Sequence, residues 1–206
     1  HRKICEALER VERGEVKRQM IFAPPRHGKS EIASKRFPAW YMGRHPDHQI
    51  NASSYNDELA TDFGRSVRNL VADQLYRNVF PGVALSADST AAGRWQSNHG
   101  GVYVATGIGG PITGRGATLA IIDDPLKNRE EADSARVRDS IWKWYTSTFY
   151  SRLMPGGAIV MMLTRWHESD LAARALESEK WEVLELQAIT NEDTPQEYAL
   201  WPDWYD

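Results

Sequence analysis

Apolar residues in this chain occur in two patterns that alternate along its length. Short continuous apolar runs, typical of buried strands, predict strands over 18–23, 48–54, 100–107, 118–124, 158–163 and 181–186. Helical spacing predicts helices over 2–12, 29–37, a long segment from residue 56, about 130–150 and about 168–178. Strands that alternate with helices predict an α/β fold with a mostly parallel sheet and helices on both faces.

Local signals refine the predicted helices. Gly14 is expected to end the first helix, and Pro38 is expected to interrupt the one that begins at residue 29. Asn56 is a favourable N-cap, and two acids follow it in the first turn of the long helix. One face of that helix is expected in the core, and it carries Leu59, Phe63, Val67, Leu70 and Leu75.

Composition narrows the classes of protein to consider. With 206 residues, the chain has room for one full α/β domain and little more. The formal net charge of −3 gives no overall attraction to nucleic acid, so contact with DNA would need a local basic patch or another domain. The single cysteine, Cys5, excludes an internal disulfide and fits a reducing cytoplasm. No long apolar run is present, so we expect no membrane segment.

The stretch IFAPPRHGKSEI, residues 21–32, ends in the Gly-Lys-Ser signature of a phosphate-binding loop, although Ala23 replaces the usual first glycine. Lys29 would reach the β- and γ-phosphates and Ser30 would ligate Mg²⁺, while the alternative is an ordinary surface turn. The backbone amides around Gly28 would surround the phosphates, because the prolines before it have no N–H to donate. The predicted nucleotide-binding residues are Pro25, Arg26, His27, Gly28, Lys29 and Ser30.

Two carboxylates, Asp123 and Asp124, follow a predicted buried strand in LAIIDDP. P-loop NTPases keep an acid that holds Mg²⁺ at such a strand end, and a second acid there polarises the attacking water. An Asp-Asp-Pro turn would account for the same residues in a protein without this chemistry. Because the pair follows a Gly-Lys-Ser loop and each motif has a strand before it, the sequence favours an NTPase.

A third strand end carries LTRWHESDL, residues 163–171. Thr164 lies where many translocating ATPases place a polar residue that senses the γ-phosphate, but it could equally cap a turn or helix. Trp166 and His167 could be packing residues, and no His or Cys spacing in the chain predicts zinc.

Three segments in this order, PPRHGKSE, ITGRGATLAIIDDPLKNREEADS and MMLTRWHESDLAARAL, resemble the large terminase subunit of tailed bacteriophages, the motor that packages DNA into proheads. The resemblance covers nearly the whole chain and implies a RecA-like P-loop ATPase domain, with an RNase H-like nuclease domain to follow. It implies ATP and Mg²⁺ as cofactors. The implied partners are double-stranded DNA, the portal protein, the small terminase subunit and further copies in a ring, in the cytoplasm of the infected bacterium.

The resemblance also implies roles for individual residues. By this resemblance Lys29 would bind phosphate, and Ser30 and Asp123 would hold Mg²⁺. Asp124 would be the catalytic carboxylate and Thr164 the coupling residue. These roles agree with those predicted from the motifs. Arg26 matches an arginine that this family often carries inside the loop. Arg115, in a glycine-rich loop before Asp123, matches an arginine thought to reach a neighbouring subunit's nucleotide.

Other functions remain open at this point. A helicase-like nucleic-acid ATPase uses the same core but normally needs a second motor domain. An assembly module that binds ATP and barely hydrolyses it would suit the Asp123–Asp124 pair, since the second acid of this motif is commonly Glu. A metal nuclease could use the same two acids, but it would make no use of the Gly-Lys-Ser loop. The basic residues of 10–18 and 129–138 are interleaved with acids and are expected to be solvated helix faces.

Overall fold

A single sheet organises the protein in a computed structural model that describes residues 1–112 and 116–187. Its eight strands lie in the order β3-β4-β5-β2-β6-β7-β1-β8. Their bounds are β1 Arg18–Phe22, β2 Gln49–Ser54, β3 Leu85–Ala91, β4 Arg94–Ser97, β5 Val102–Gly107, β6 Ala117–Asp123, β7 Leu153–Leu163 and β8 Glu182–Glu185. The strands from β5 to β8 in this order all pair in parallel, which confirms the predicted mostly parallel sheet.

One edge of the sheet departs from the prediction. Strands β3 and β4 form a hairpin that pairs antiparallel with β5, and the sequence pattern did not predict either strand. LSADSTA in β3 mixes small, polar and acidic residues, because an edge strand needs only one partner and little apolar burial. Trp95 of β4 is fully buried and stacks on Tyr103 of β5 with 5.1 Å between ring centroids, which anchors the hairpin.

Helices cover both faces of the sheet, as predicted. Their bounds are α1 Arg2–Glu12, α2 Phe37–Arg44, α3 Asp57–Ala72, α4 Gln74–Val79, α5 Arg129–Asp133, α6 Ala135–Trp144 and α7 Leu171–Ser178. One apolar core lies between the sheet and α1, α2 and α3, and the other lies between the sheet and α6 and α7. Among the described residues, no helix has both the length and the apolar character needed to cross a bilayer.

The helix expected to stop at Pro38 instead continues. A π-helical segment, Glu31–Arg36, follows the loop and runs directly into α2. The Phe37 N–H bonds to the Ile32 carbonyl five residues back, and Pro38 then falls in the first turn of α2. Proline is tolerated in the first turn of an α-helix, and here the hydrogen-bond register changes from π to α at that point.

The long helix predicted from Asn56 is two helices, and the predicted core face is confirmed only in part: Val67 is buried and Leu70 packs against the core. The Asn56 side chain caps α3 by accepting from Leu59 N, as expected. Asp73 then caps the separate helix α4, so Leu75 lies on α4 with 73% of its surface exposed and is not a core residue. The buried face of α3 is built from small residues: Ala60, Gly64, Val67 and Val71. A β-carbon on Gly64 would lie 2.6 Å from the Ala92 carbonyl oxygen, so the small face permits close packing.

The segment predicted as one helix over 130–150 is also divided. Ser134 ends α5 and caps α6 by accepting from Val137 N. Beyond α6 the chain forms a π-helical turn, Tyr145–Phe149, and a 3-10 turn, Tyr150–Arg152, before β7 begins.

Candidate nucleotide site

Three strand ends at the carboxyl edge of the sheet bring the sequence motifs together. Strand β7 lies between β1, which leads into the Gly-Lys-Ser loop, and β6, which ends in Asp123. Asp124 N donates to Met162 O at 2.9 Å and Ala23 N donates to Leu163 O at 3.4 Å, so both motifs are held to β7. Thr164, the first residue after β7, therefore lies between the loop and the acids, although the three motifs are far apart in the chain.

Lys29, Asp124 and Thr164 form a closed triangle of contacts. Lys29 Nζ lies 2.7 Å from Asp124 Oδ2 and donates to Thr164 Oγ1 at 2.8 Å. Thr164 N in turn donates to Asp124 Oδ1 at 2.8 Å. Lys29 is buried, with 5% of its surface exposed, so its ammonium depends on these two partners. Both oxygens of Asp124 are engaged within the site.

Asp123 lies beneath this triangle and is 2% exposed. Its Oδ2 accepts from Ser34 Oγ at 2.6 Å, while its Oδ1 is buried without a hydrogen-bond partner. Burial first, and then the charge of Asp124, raise the pKa of Asp123 to about 6. The hydroxyls of Ser34 and Ser30 and the ammonium of Lys29 act on this pKa in the opposite direction without cancelling the rise.

These residues fit a magnesium ion held jointly by protein and phosphate. Mg²⁺ is usually bound through one or two carboxylates together with phosphates and waters, so a protein cage is not needed. The described residues contain no group of three or more His, Cys, Asp or Glu that could hold a metal ion. The orphaned Oδ1 of Asp123 is an acceptor of the kind such an ion or its water would use.

The backbone of the loop bends sharply at two residues. Arg26 and Gly28 have φ angles of 62° and 76°, in the left-handed region. Alternation between left- and right-handed residues turns successive N–H groups toward one point, which is the geometry of an anion-binding nest. A β-carbon on Gly28 would lie 2.7 Å from His1 Nε2, so the imidazole of His1 covers the loop closely. His27 Nδ1 lies 2.8 Å from Pro25 O and braces the turn from within.

The other residues singled out in the sequence differ in how the structure places them. Arg26 is exposed on the loop, and Arg115 lies outside the described residues. His167 Nδ1 accepts from Ser169 N at 2.9 Å and so helps to form a turn. Trp166 has 37% of its surface exposed and is not a core residue.

Two supporting residues were missed by sequence reasoning. Ser34 follows Ser30 by four residues, so helical spacing could have indicated that both hydroxyls face the same acid. Asp170 is fully buried, accepts from Ala173 N as the cap of α7 and pairs with Arg165 at 2.8 Å. Arg165 also lies over the ring of Phe22, 5.1 Å from its centroid, so this pair fastens the segment after Thr164 to the end of β1.

Several basic residues of the segments 10–18 and 129–138 pair with acids. Arg13 pairs with Glu15 at 2.6 Å and Arg18 pairs with Glu179 at 2.9 Å. Arg129 lies 3.8 Å from Asp133 in α5. Charges paired in this way favour solvated surfaces over a track for DNA.

The chain is similar to large terminases of bacteriophages in sequence and in fold. The family model of the terminase large subunit, T4likevirus-type, N-terminal, matches residues 20–205. Among solved structures, the HK97 bacteriophage large terminase superposes with a TM-score of 0.54 at 14% identity, over 86% of this chain and 37% of that one. The Thermus phage P74-26 large terminase ATPase domain superposes with a TM-score of 0.56 at 14% identity, over 76% of this chain and 63% of that one. The large terminase of the thermophilic bacteriophage D6E superposes with a TM-score of 0.55 at 9% identity, over 89% of this chain and 44% of that one.

These matches differ in what they establish. The structural likenesses are at low sequence identity and show a shared fold, the α/β fold of a terminase ATPase domain. The chain spans between about one third and two thirds of the length of these structures. No curated protein matches the chain. Because the family model covers nearly all of the sequence, the chain belongs to the family of terminase large subunits of the T4likevirus type, as their N-terminal region.

Proposed function

We propose that this chain is the ATP-hydrolysing motor domain of a viral terminase large subunit and drives DNA into a prohead. The observation that carries the proposal is the triangle of Lys29, Asp124 and Thr164 above the buried Asp123. It joins a phosphate-binding cation, a carboxylate able to orient water and a polar sensor at one strand edge of a P-loop fold. Membership of the terminase family supplies the biological setting.

Binding of the substrate begins with an exchange of partners by Lys29. In the ligand-free chain its ammonium is shared between Asp124 and Thr164. The phosphates of ATP, received by the nest around Gly28, offer a stronger, doubly charged partner in the same place. When Lys29 turns to the phosphates, Asp124 Oδ2 loses its cation and becomes free to accept a hydrogen bond from water. The Asp124 carboxylate therefore becomes available to orient water only after nucleotide has bound to the loop.

Hydrolysis then depends on Asp124 and Thr164. Asp124 orients the attacking water and accepts its hydrogen bond, while Lys29 balances the charge that develops on the phosphate oxygens. Thr164 N stays bonded to Asp124 Oδ1, so movement of the carboxylate is transmitted to the backbone after β7. Loss of the γ-phosphate returns Lys29 to its ligand-free partners and completes the cycle.

A magnesium ion would be held by Ser30 and Asp123 together with the phosphates. When bound, Mg²⁺ supplies charge neutralisation on the phosphates and fixes their orientation. Ser34 keeps Asp123 Oδ2 in place, which leaves Oδ1 for the ion or its water. A cation there also offsets the cost of the buried negative charge of Asp123.

Two arginines complete the proposed site. Arg26, inside the loop, can reach only phosphates bound to its own chain, and its guanidinium can pair with two phosphate oxygens. Arg115 would act on the nucleotide of a neighbouring copy in a ring, which would link hydrolysis to assembly. For the complete protein we propose a nuclease domain after this region, with the portal protein, the small terminase subunit and double-stranded DNA as partners in the infected bacterial cytoplasm.

The test uses the full-length terminase that contains this chain, with proheads and linear DNA. Lys29→Ala should abolish ATP turnover and packaging while the protein stays folded. Lys35→Ala is the matched control, because Lys35 lies on the helical segment after the loop and pairs at 2.8 Å with Glu31 on the surface. Turnover that survives Lys29→Ala would refute the site, and turnover lost equally in Lys35→Ala would show that the effect is not specific to the loop.

A further inference from the structure

A further hydroxyl lies beside Asp123, on the neighbouring strand of the sheet. Ser54, the last residue of β2, is the register partner of Asp123 on the neighbouring strand β6. Register partners on parallel strands point to the same face, and neighbouring strands lie about 4.8 Å apart. The side chains of Ser54 and Asp123 are therefore immediate neighbours beneath the nucleotide site.

Both side chains carry a buried polar atom with no hydrogen-bond partner. Ser54 is fully buried, and its Oγ has no partner. The Oδ1 of Asp123 has none either, while its Oδ2 is taken by Ser34 from the helix side. Buried hydroxyls and carboxylates are nearly always satisfied in folded proteins, so two orphans side by side call for a shared explanation.

The position of Ser54 is held firmly by backbone contacts. On its other side Ser54 is the register partner of Gly107, and its carbonyl accepts from Ile108 N at 2.8 Å. The side chain can still rotate about its single χ1 torsion, which moves the hydroxyl between staggered positions without moving the backbone. A serine hydroxyl can both donate and accept, so it can serve a carboxylate or a water beside it.

We propose that Ser54 is a positioning residue that, with the site loaded, orients Asp123 toward Mg²⁺ by hydrogen bonding to Oδ1 or to a water bound there. Ser34 then fixes one oxygen of the carboxylate from the helix and Ser54 fixes the other from the sheet. Groups that support a metal ligand in this way commonly contribute 10- to 100-fold to metal affinity. The proposal rests on the proposed function, because it presumes that Asp123 serves a nucleotide-bound cation.

The chain supplies a matched control one residue away. Ser53 is also buried, with 3% of its surface exposed, and its Oγ also has no partner. Successive residues of a strand point to opposite faces, so Ser53 faces away from Asp123. Ser53→Ala thus removes an equivalent hydroxyl from the same strand without touching the site.

The experiment measures metal dependence apart from turnover. A fluorescent ATP analogue is bound to the full-length protein during titration with MgCl₂, and Mn²⁺ bound in the ternary complex is counted by electron paramagnetic resonance. Ser54→Ala should raise the half-saturating concentration of each metal about tenfold or more. Its ligand-free melting temperature should stay unchanged or rise slightly, since an unpartnered hydroxyl is lost. Ser53→Ala should leave the metal dependence of the wild type.

The outcomes separate the two proposals. If the wild type and Ser54→Ala both bind nucleotide in a Mg²⁺-dependent way with the same half-saturating Mg²⁺ concentration, Ser54 has no positioning role and only this inference fails. A similar shift in Ser53→Ala would also overturn it, because the effect would then belong to the strand and not to the face toward Asp123. Absence of Mg²⁺-dependent nucleotide binding in the wild type would overturn the proposed function, and this inference with it.

Discussion

Replacing Asp124 by Asn should make the ligand-free protein less stable and yet a tighter binder of ATP. The substitution keeps a carbonyl oxygen for Thr164 N, but it removes the carboxylate that lies 2.7 Å from Lys29 Nζ. Lys29 would then be a buried ammonium that keeps a hydrogen bond to the neutral hydroxyl of Thr164 and has Asp123 nearby as a charge, but has lost its direct ion pair. We expect opposite changes in folding and in binding, because the pair stabilises only the ligand-free state.

The magnitude follows from how deeply the pair is buried. Removing one partner of a fully buried ion pair costs about 3–5 kcal/mol, whereas exposed pairs contribute about 0–1 kcal/mol. The Lys29 side chain is 6% exposed and the Asp124 side chain 30%, so we expect a loss of about 1–2 kcal/mol. For a chain of this size that lowers Tm by roughly 3–6 °C. In the wild type, ATP must break the Lys29–Asp124 pair before its phosphates can bind Lys29. Without that cost, ATP binding should tighten about tenfold.

The assays are urea unfolding without nucleotide or Mg²⁺, followed by tryptophan fluorescence, and equilibrium titration with a fluorescent ATP analogue. Asp139→Asn is the matched control: it breaks a pair with Arg174 of the same 2.7 Å length, but the Asp139 side chain is 67% exposed. That control should lose less than about 0.5 kcal/mol. Equal stability of the two variants, together with unchanged ATP affinity for Asp124→Asn, would refute the idea that Lys29 must leave Asp124 to bind phosphate.

Three further predictions concern the ring and the fold. In an assembled ring, a mixture of inactive Arg115→Ala and Lys29→Ala subunits should regain ATP turnover, and a mixture that stays inactive although assembly is verified excludes action in trans. Asp170→Ala should lower the free energy of unfolding in urea by about 2–4 kcal/mol, since it removes the α7 cap and leaves the part-buried Arg165 without its carboxylate partner. A loss below about 1 kcal/mol would contradict this. Gly107→Ala should destabilise by about 1–3 kcal/mol, because its β-carbon would lie 2.5 Å from a backbone nitrogen of α3. Gly93→Ala, with ordinary contact at 3.4 Å, should cost less, and equal melting temperatures would disprove the clash.

The sequence was most informative about features that depend on residues close together in the chain. The apolar strands that precede Lys29 and Asp123 predict that both residues lie at the carboxyl edge of a parallel sheet, and the structure places them there. The Asn56 cap was equally local, and it is present. In these cases burial and capping depend on neighbours in sequence, so a pattern can reveal them.

What the sequence could not show depends on partners distant in the chain. The pairing of Lys29 with Asp124 joins two segments that are far apart in the chain, and only the strand order reveals that Thr164 lies between them. The exposure of Leu75 follows from the break at Asp73, which interrupts a helical pattern that would otherwise continue. The roles proposed for individual site residues stay predictions that the experiments above can decide.

The left-handed backbone of the site has a consequence for protein engineering. Arg26 has a φ of 62° and Asp124 a φ of 42°, conformations that glycine adopts freely and that cost an ordinary L-residue about 1–2 kcal/mol. Glycine at position 26 would therefore relieve local strain, whereas glycine at position 124 would lose the ion pair with Lys29 at the same time. A search for greater thermal stability would be drawn to Arg26 early. That change would remove a guanidinium from the proposed reaction centre. Selection for thermal stability alone would thus favour a more stable chain that hydrolyses ATP more slowly.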